Sequence, residues 1–169
     1  MAPVRRVLGI DPGLATTGYG VLEGDGVHAR VIAAGALRTR ARDSRAARLA
    51  SLFEALTGLL EEHRPQDMAL EQHFVANNVR SAMAIGEARA AAMIAAARAR
   101  VEVYEYPPAT VKESVCGFGS AGKEQVQAMV RMHLGLAELP EPLDVSDALA
   151  VALTRLAGYR MDALLAASK

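Results

Sequence analysis

The chain has 169 residues, 51% of them hydrophobic and 22% charged; this is ample material for a packed core and excludes a disordered or fibrous chain. Its 19 basic and 19 acidic residues cancel to a formal charge of zero, so any surface suited to a polyanion must come from local clustering, not from overall charge. A single cysteine, Cys116, excludes an intrachain disulfide and a multi-cysteine zinc site.

From the amino end, Val4 to Ile10 is a β-branched, apolar run that reads as a buried strand. It closes on Asp11, followed by Pro12 and Gly13 in the order expected of a type II turn. Gly18 to Leu22 and Val27 to Leu37 are two further strand-like segments joined by the turn signal EGDG, so three successive antiparallel strands are the simplest topology.

At Ser44 the apolar period lengthens. Leu49, Leu52, Phe53, Leu56, Leu59 and Leu60 mark an amphipathic helix that ends near His63. Just before it, Arg38, Arg40, Arg42, Arg45 and Arg48 crowd one stretch, which can be read simply as a solvated helix start. DMALEQ, from Asp67, is a short strand; Val79 to Arg100 is an alanine-rich helix; VEVYEY alternates as a strand and stops at Pro107 and Pro108. Three helices are expected after that, in PPATVKESVCG, in Lys123 to Leu134 and in Val145 to Ala157. The succession argues an α/β layer fold with one mixed central sheet, organised as one domain over residues 1–169.

The chemistry is concentrated in acids at element ends. Asp11 ends the first strand and Glu71 ends MALEQ. If those strands are neighbours and parallel, both carboxylates reach the same sheet edge, where open α/β sheets bind ligands. Asp144 and Asp147, three apart at a helix start, share a face. Each acid has a plain structural reading, Asp144 as a helix N-cap and Asp11 as a turn residue. Together at one point they would repel strongly without a cation, and hard divalent ions with oxygen ligands convert that repulsion into binding. Two such ions about 3.5 to 4 Å apart are a standard clamp for phosphodiester hydrolysis. No suitably placed Cys or Ser nucleophile offers a covalent route.

Several blocks resemble, in order, those of the RuvC-type Holliday junction resolvases: LGIDPGLATTGYGVLE, ALEQHFVANN, VKESVCGFGSAGKEQVQAMV and DVSDALAVALTR. The resemblance runs from Val7 to about Ala157. It implies an RNase H-like fold with a five-stranded mixed sheet flanked by helices. It also implies a homodimer that resolves four-way DNA junctions by paired incisions during recombination and repair. Mg2+ is the implied cofactor, two ions per site, with Mn2+ able to substitute, and the implied partners are branch-migration proteins of the RuvA and RuvB type. By position the resemblance places the catalytic and metal-binding acids on Asp11, Glu71, Asp144 and Asp147. It places backbone-contacting lysines on Lys112 and Lys123, and a base-stacking aromatic on Phe74. The helix SAMAIGEARAAAMIAAARAR has small residues on several faces, more than one sheet-facing stripe requires, which suits a helix-to-helix dimer contact or a buried core helix almost equally.

Alternatives remain at this level: a catalytically silent junction binder, a related nuclease acting on RNA, or an ATP-binding protein of the actin and sugar-kinase type, for whose second lobe there is no room. GFGSAGKE nearly matches a phosphate-binding loop, but Glu124 stands where a metal-binding hydroxyl belongs. His28, His63, His73 and His133 are too scattered for a zinc site, although His73 lies close in sequence to Glu71. The opening segment has two arginines and an apolar stretch too short for a signal peptide. No apolar run approaches the roughly 20 residues of a membrane span, so a soluble cytoplasmic protein is expected.

Overall fold

The computed structural model describes residues 3–72 and 79–167. Its elements, in chain order, are β1 (Arg5–Asp11), β2 (Thr16–Gly24), β3 (Ala29–Arg38), α1 (Arg45–His63), β4 (Asp67–Glu71), α2 (Val79–Arg98), β5 (Glu102–Tyr106), α3 (Pro108–Cys116), α4 (Lys123–Leu134) and α5 (Leu143–Ala167). The strands form one mixed sheet in the order β3-β2-β1-β4-β5. β1, β2 and β3 pair antiparallel, while β4 lies parallel to both β1 and β5. His73 and Phe74 lie outside the described residues.

Strand alternation sorts the core into two layers. Leu8 and Ile10 of β1 and Met68 and Leu70 of β4 face Leu52, Leu56 and Leu60 of α1 and the alanine stripe Ala88, Ala92, Ala95 of α2. Val7 and Ala69 face the other way, towards Val111 and Val115 of α3, Val126 and Val130 of α4, and Leu149, Ala152 and Leu156 of α5. α5 approaches the sheet closely because the sheet is bare where they meet. A Cβ built on Gly9 would stand 2.0 Å from the Ala148 carbonyl oxygen, and one built on Gly18 would stand 1.9 Å from that of Asp144. Side chains at those two positions would lift the helix.

At the opposite sheet edge α5 is held by charge. Asp67, fully buried, accepts from Arg5 Nε and Nη2 at 2.8 and 2.7 Å and from Arg155 Nε at 2.7 Å. The Arg155 guanidinium lies 3.6 Å from the Tyr104 ring centre, and that of Arg5 lies 4.5 Å from Tyr159. Two cations, one anion and two aromatic faces thus satisfy a charge that would be prohibitive alone.

Three local expectations change. The DPG loop is no type II turn, since Gly13 is not among the residues with positive φ; the loop is closed by the Thr17 hydroxyl, which donates to Gly13 O at 2.6 Å. α5 does not stop at Ala157. It passes through Gly158 to Ala167, because Arg155 on one turn pairs with Asp162 on a later one and Tyr159 packs on Arg5. Asp144 falls inside the first turn of α5, which starts at Leu143, and is not the residue before it.

Removing Arg155 leaves Asp67 buried with half its partners. Arg155→Ala is expected to lower stability by about 3 kcal/mol, a fall of roughly 6 to 12 °C in a thermal melt at 2 to 4 °C per kcal/mol.

Candidate active site

The condition placed on Asp11 and Glu71 is met. β1 and β4 are parallel neighbours, with Ile10 beside Leu70, so the next residue on each strand is the acid. By alternation from Gly9 and Ala69, both acids project to the α5 side. There the first turns of α5 bring Asp144 and Asp147 over the same edge, set by the contact of Asp144 and Ala148 with Gly18 and Gly9.

Asp11, Glu71 and Asp147 line a cleft of about 270 Å3 together with Lys112, Lys123 and the apolar side chains Val111 and Val126. Asp144 does not line it; it borders an adjoining depression with Gly13, Thr16, Arg48 and Ser81. The expected quartet is therefore three acids in one cleft and one beside it. Among the described residues no group of three or more His, Cys, Asp or Glu side chains converges into a ready-made metal-binding cluster.

The four acids are nonetheless coupled electrostatically. Burial, then repulsion from Asp147, Asp144 and Glu71, pushes Asp11 from 3.8 up to about 7, with Lys123 opposing the rise. Glu71 is also raised, by burial and by Asp147, against the pull of Lys112 and Lys123. Lys123 Nζ stands 4.0 Å from Asp147 Oδ2. Four carboxylates against two lysines leave the site with excess negative charge, an all-oxygen donor set of the kind that suits a hard divalent cation. By chemistry and placement the residues fit such an ion, although their side chains stop short of closing on one point.

Supporting contacts hold the frame. Arg89 Nη1 donates to the Glu71 carbonyl oxygen at 3.3 Å and its other Nη pairs with Glu105, clamping the ends of β4 and β5 together. Sequence reasoning passed over Arg89; its isolation in an alanine-rich helix was the available signal. Lys112 rides on α3, whose first turn carries Pro108. Lys123 opens α4, whose start is fixed by Gln125 Oε1 accepting from Gly122 N at 2.8 Å. The near phosphate-loop GFGSAGKE joins two helices, not a strand and a helix, and so is not a nucleotide-binding loop.

Comparison with known proteins places the chain in a family and a fold. The family described as "Crossover junction endodeoxyribonuclease RuvC" matches residues 7–155. A protein of that name from Natranaerobius thermophilus is 43% identical over 155 residues, covering 92% of this chain and 96% of that one. One from Heliobacterium modesticaldum is 48% identical over 147 residues, covering 87% and 91%. Among solved structures, T. thermophilus RuvC in complex with Holliday junction substrate superposes with a TM-score of 0.90 at 36% identity, covering 94% of this chain and 96% of that one.

Because the folded chain holds the Asp11 proton more tightly than the unfolded chain, the contribution of Asp11 to stability falls as pH rises from about 4 to about 7 and stays lowered above that. In EDTA at pH 8, Asp11→Asn is therefore expected to raise the melting temperature, by roughly 5 °C for a penalty on the order of 2 kcal/mol. The gain shrinks towards zero at pH 4, where wild type is protonated. Melts of both proteins across this range read the difference directly.

Proposed function

The chain belongs to the RuvC family of crossover junction endodeoxyribonucleases, and from that premise we propose that it resolves four-way DNA junctions by divalent-metal-dependent hydrolysis of phosphodiester bonds. The observation that carries the reading is the gathering of Asp11, Glu71 and Asp147 in one cleft at the shared edge of β1 and β4, with Lys112 and Lys123 lining it, and burial and mutual repulsion raise the Asp11 carboxyl there. A buried acid repelled by three others lowers stability in the resting protein. Such an arrangement is retained where its charge has a use.

Asp11, Glu71 and Asp147 would hold Mg2+ or Mn2+ from the cleft, and Asp144 from the adjoining side. When bound, such ions lower the pKa of water and offset charge on a phosphate in transition. The protein's own contribution is positional. β1 and β4 fix Asp11 and Glu71 through the backbone hydrogen bonds of their parallel pairing, and α5 fixes Asp147 against them. Lys112 and Lys123 present ammonium groups to the phosphate backbone and keep it from being repelled by the acids.

We further propose a single nuclease domain that acts in the cytoplasm as a homodimer, on junctions handled by branch-migration proteins of the RuvA and RuvB kind. No helix among the described residues is long and apolar enough to cross a membrane. The dimer face is the outer stripe of α2. Val79 (76% exposed), Met83 (57%), Gly86, Ala90 and Ile94 (55%) recur at spacings of four and three, one line along the helix. A Cβ on Gly86 would meet nothing within 4 Å, so the stripe's middle is open to a second helix. Twofold pairing there matches a twofold junction.

Wild-type protein is expected to cut a synthetic four-way junction only with Mg2+ or Mn2+, and to leave linear duplex intact. Asp11→Asn is expected to lower the rate by more than about 100-fold, since even partners behind metal ligands contribute 10- to 100-fold. Mg2+ should raise the melting temperature of wild type but not of Asp11→Asn. For the dimer, Met83→Glu/Ile94→Glu is expected to sediment as a monomer under conditions where wild type sediments as a dimer.

A further inference from the structure

The arginine-rich segment before α1 has no role in the reaction described so far, and its electrostatics are unusual. α1 carries no acid in its first turn, although helix N-termini favour negative charge there. Instead Arg45 and Arg48 stand in the first turn, and Arg38, Arg40 and Arg42 precede it. Arg45 is offset by Glu87, with Nε 2.5 Å from Oε2. Arg38, Arg40 and Arg42 are exposed and form no ion pair among the described residues. With Asp43 the one acid among residues 38–48 and Glu87 taken by Arg45, the remaining cations gathered against the helix dipole disfavour the local structure, and such a violation marks a site whose counter-charge arrives from outside.

Topology puts this charge beside the catalytic cleft. β1 ends at the same sheet edge where β2 begins and β3 ends. Asp11 pairs with Gly18 and Gly18 with Ala36, so Arg38 lies two strands across and two residues along from Asp11, on the same face. With strands about 4.8 Å apart and about 3.4 Å of rise per residue, that is about 12 Å. In B-DNA this corresponds to about three to four base-pair steps of 3.4 Å. Arg48 is tied to the loop after Asp11: its Nε donates to Thr39 Oγ1 at 2.8 Å, and that hydroxyl donates to Leu14 O at 2.6 Å. It borders the depression that also holds Asp144. Lys112 and Lys123 share the cleft with Glu71 at the end of β4 and Pro108 after β5, whereas the arginines lie at and beyond the end of β3.

We propose that Arg38, Arg40, Arg42 and Arg48 form a second phosphate track, which receives the DNA backbone a few nucleotides from the cut on the side opposite Lys112 and Lys123. This rests on the nuclease reading above. Guanidinium groups suit the task because their planar forks match phosphate oxygens and stay charged at every relevant pH. The occupant is a nucleic-acid backbone because the track starts at the same sheet edge as Asp11, about 12 Å from it, where the scissile phosphate would lie. DNA held at both flanks of the acids cannot pivot about the metal site, so the track governs binding and orientation and leaves the chemical step alone.

The test is the salt dependence of junction binding. Arg38→Ala/Arg40→Ala/Arg42→Ala is expected to weaken binding at least tenfold at about 150 mM salt and to reduce the slope of log K against log salt by about 2 to 3, at 0.9 per phosphate. The rate at saturating junction should stay within about twofold of wild type. The matching triple lysine variant should retain the wild-type slope. Arg98→Ala/Arg131→Ala, which removes exposed arginines at the carboxyl ends of α2 and α4, should leave the slope unchanged. A triple alanine variant that melts like wild type and keeps its affinity and slope overturns the track, and assigns the arginines to solvent or to an acidic protein partner. Wild type that cuts neither four-way junctions nor linear duplex overturns the nuclease reading instead, and one that cuts both alike overturns the junction reading. The triple variant's salt slope on linear duplex then still decides the arginine track.

Discussion

The approach of α5 to the sheet across Gly9 and Gly18 is the contact from which the site's geometry follows. Two carboxylates reach the sheet edge from strands, and two come from a helix; the distance between the sets is the distance between helix backbone and sheet. A helix ordinarily rests on a sheet through side chains of both partners. Here one partner has none beneath Asp144 and Ala148, and the carbonyl oxygens of those residues occupy the space a methyl group would take. The carboxylates are therefore brought together by backbone contact, which cannot relax by a rotamer change as a packed leucine can.

This gathering opposes stability, and the fold offsets it elsewhere. At the carboxyl edge of β4 Glu71 joins acids that repel one another, and Asp11 is held well above its ordinary range. At the amino edge of the same strand Asp67 sits between Arg5 and Arg155 with every polar contact satisfied. A strand of five residues thus carries one fully compensated buried acid and one only partly compensated acid at its two ends. α5 spans both, with Asp144 and Asp147 at its start and Arg155 further along. The ion cluster pins the helix where no chemistry occurs, and the acids can remain under mutual repulsion without pushing it off.

The sequence made the acids legible because each stands at the end of a periodic element, where a core-facing run meets a polar side chain. Asp11 and Glu71 were readable to the residue, and their parallel pairing followed once the two strands proved to be neighbours. The separation of Asp144 from the cleft was not readable, since spacing of three on a helix gives a shared face but not the direction of each carboxylate across a groove. Gly9 and Gly18 were visible signals of close backbone approach within strands, but the identity of the approaching element was not encoded near them. The Arg5, Asp67 and Arg155 cluster joins residues as far apart as 150 positions, so no local pattern announces it. The length of α5 was underestimated because Gly158 looks like a helix end, and only the packing of Tyr159 and Arg155 keeps the helix going past it.

Neutral overall charge and a DNA substrate are reconciled by where the charges fall. Long-range steering depends on net charge and fades beyond about 8 Å at physiological salt, whereas a groove lined by one sign acts within that range. The sheet edge that ends in Asp11 is bounded by Lys112 and Lys123 on one flank and by arginines on the other, while Glu23 is neutralised by Arg6 and Arg30 near the opposite edge. On the proposed reading, a protein so arranged attracts a polyanion only weakly from a distance and gains most of its contacts when the backbone lies across the cleft. For an enzyme that must find one branched structure among far more abundant duplex, weak indiscriminate affinity is an advantage, because nonspecific DNA competes through the same phosphates. With the proposed cationic flanks, discrimination would lie in the shape of the DNA: only a backbone able to reach both sides of the acids would gain the full set of contacts.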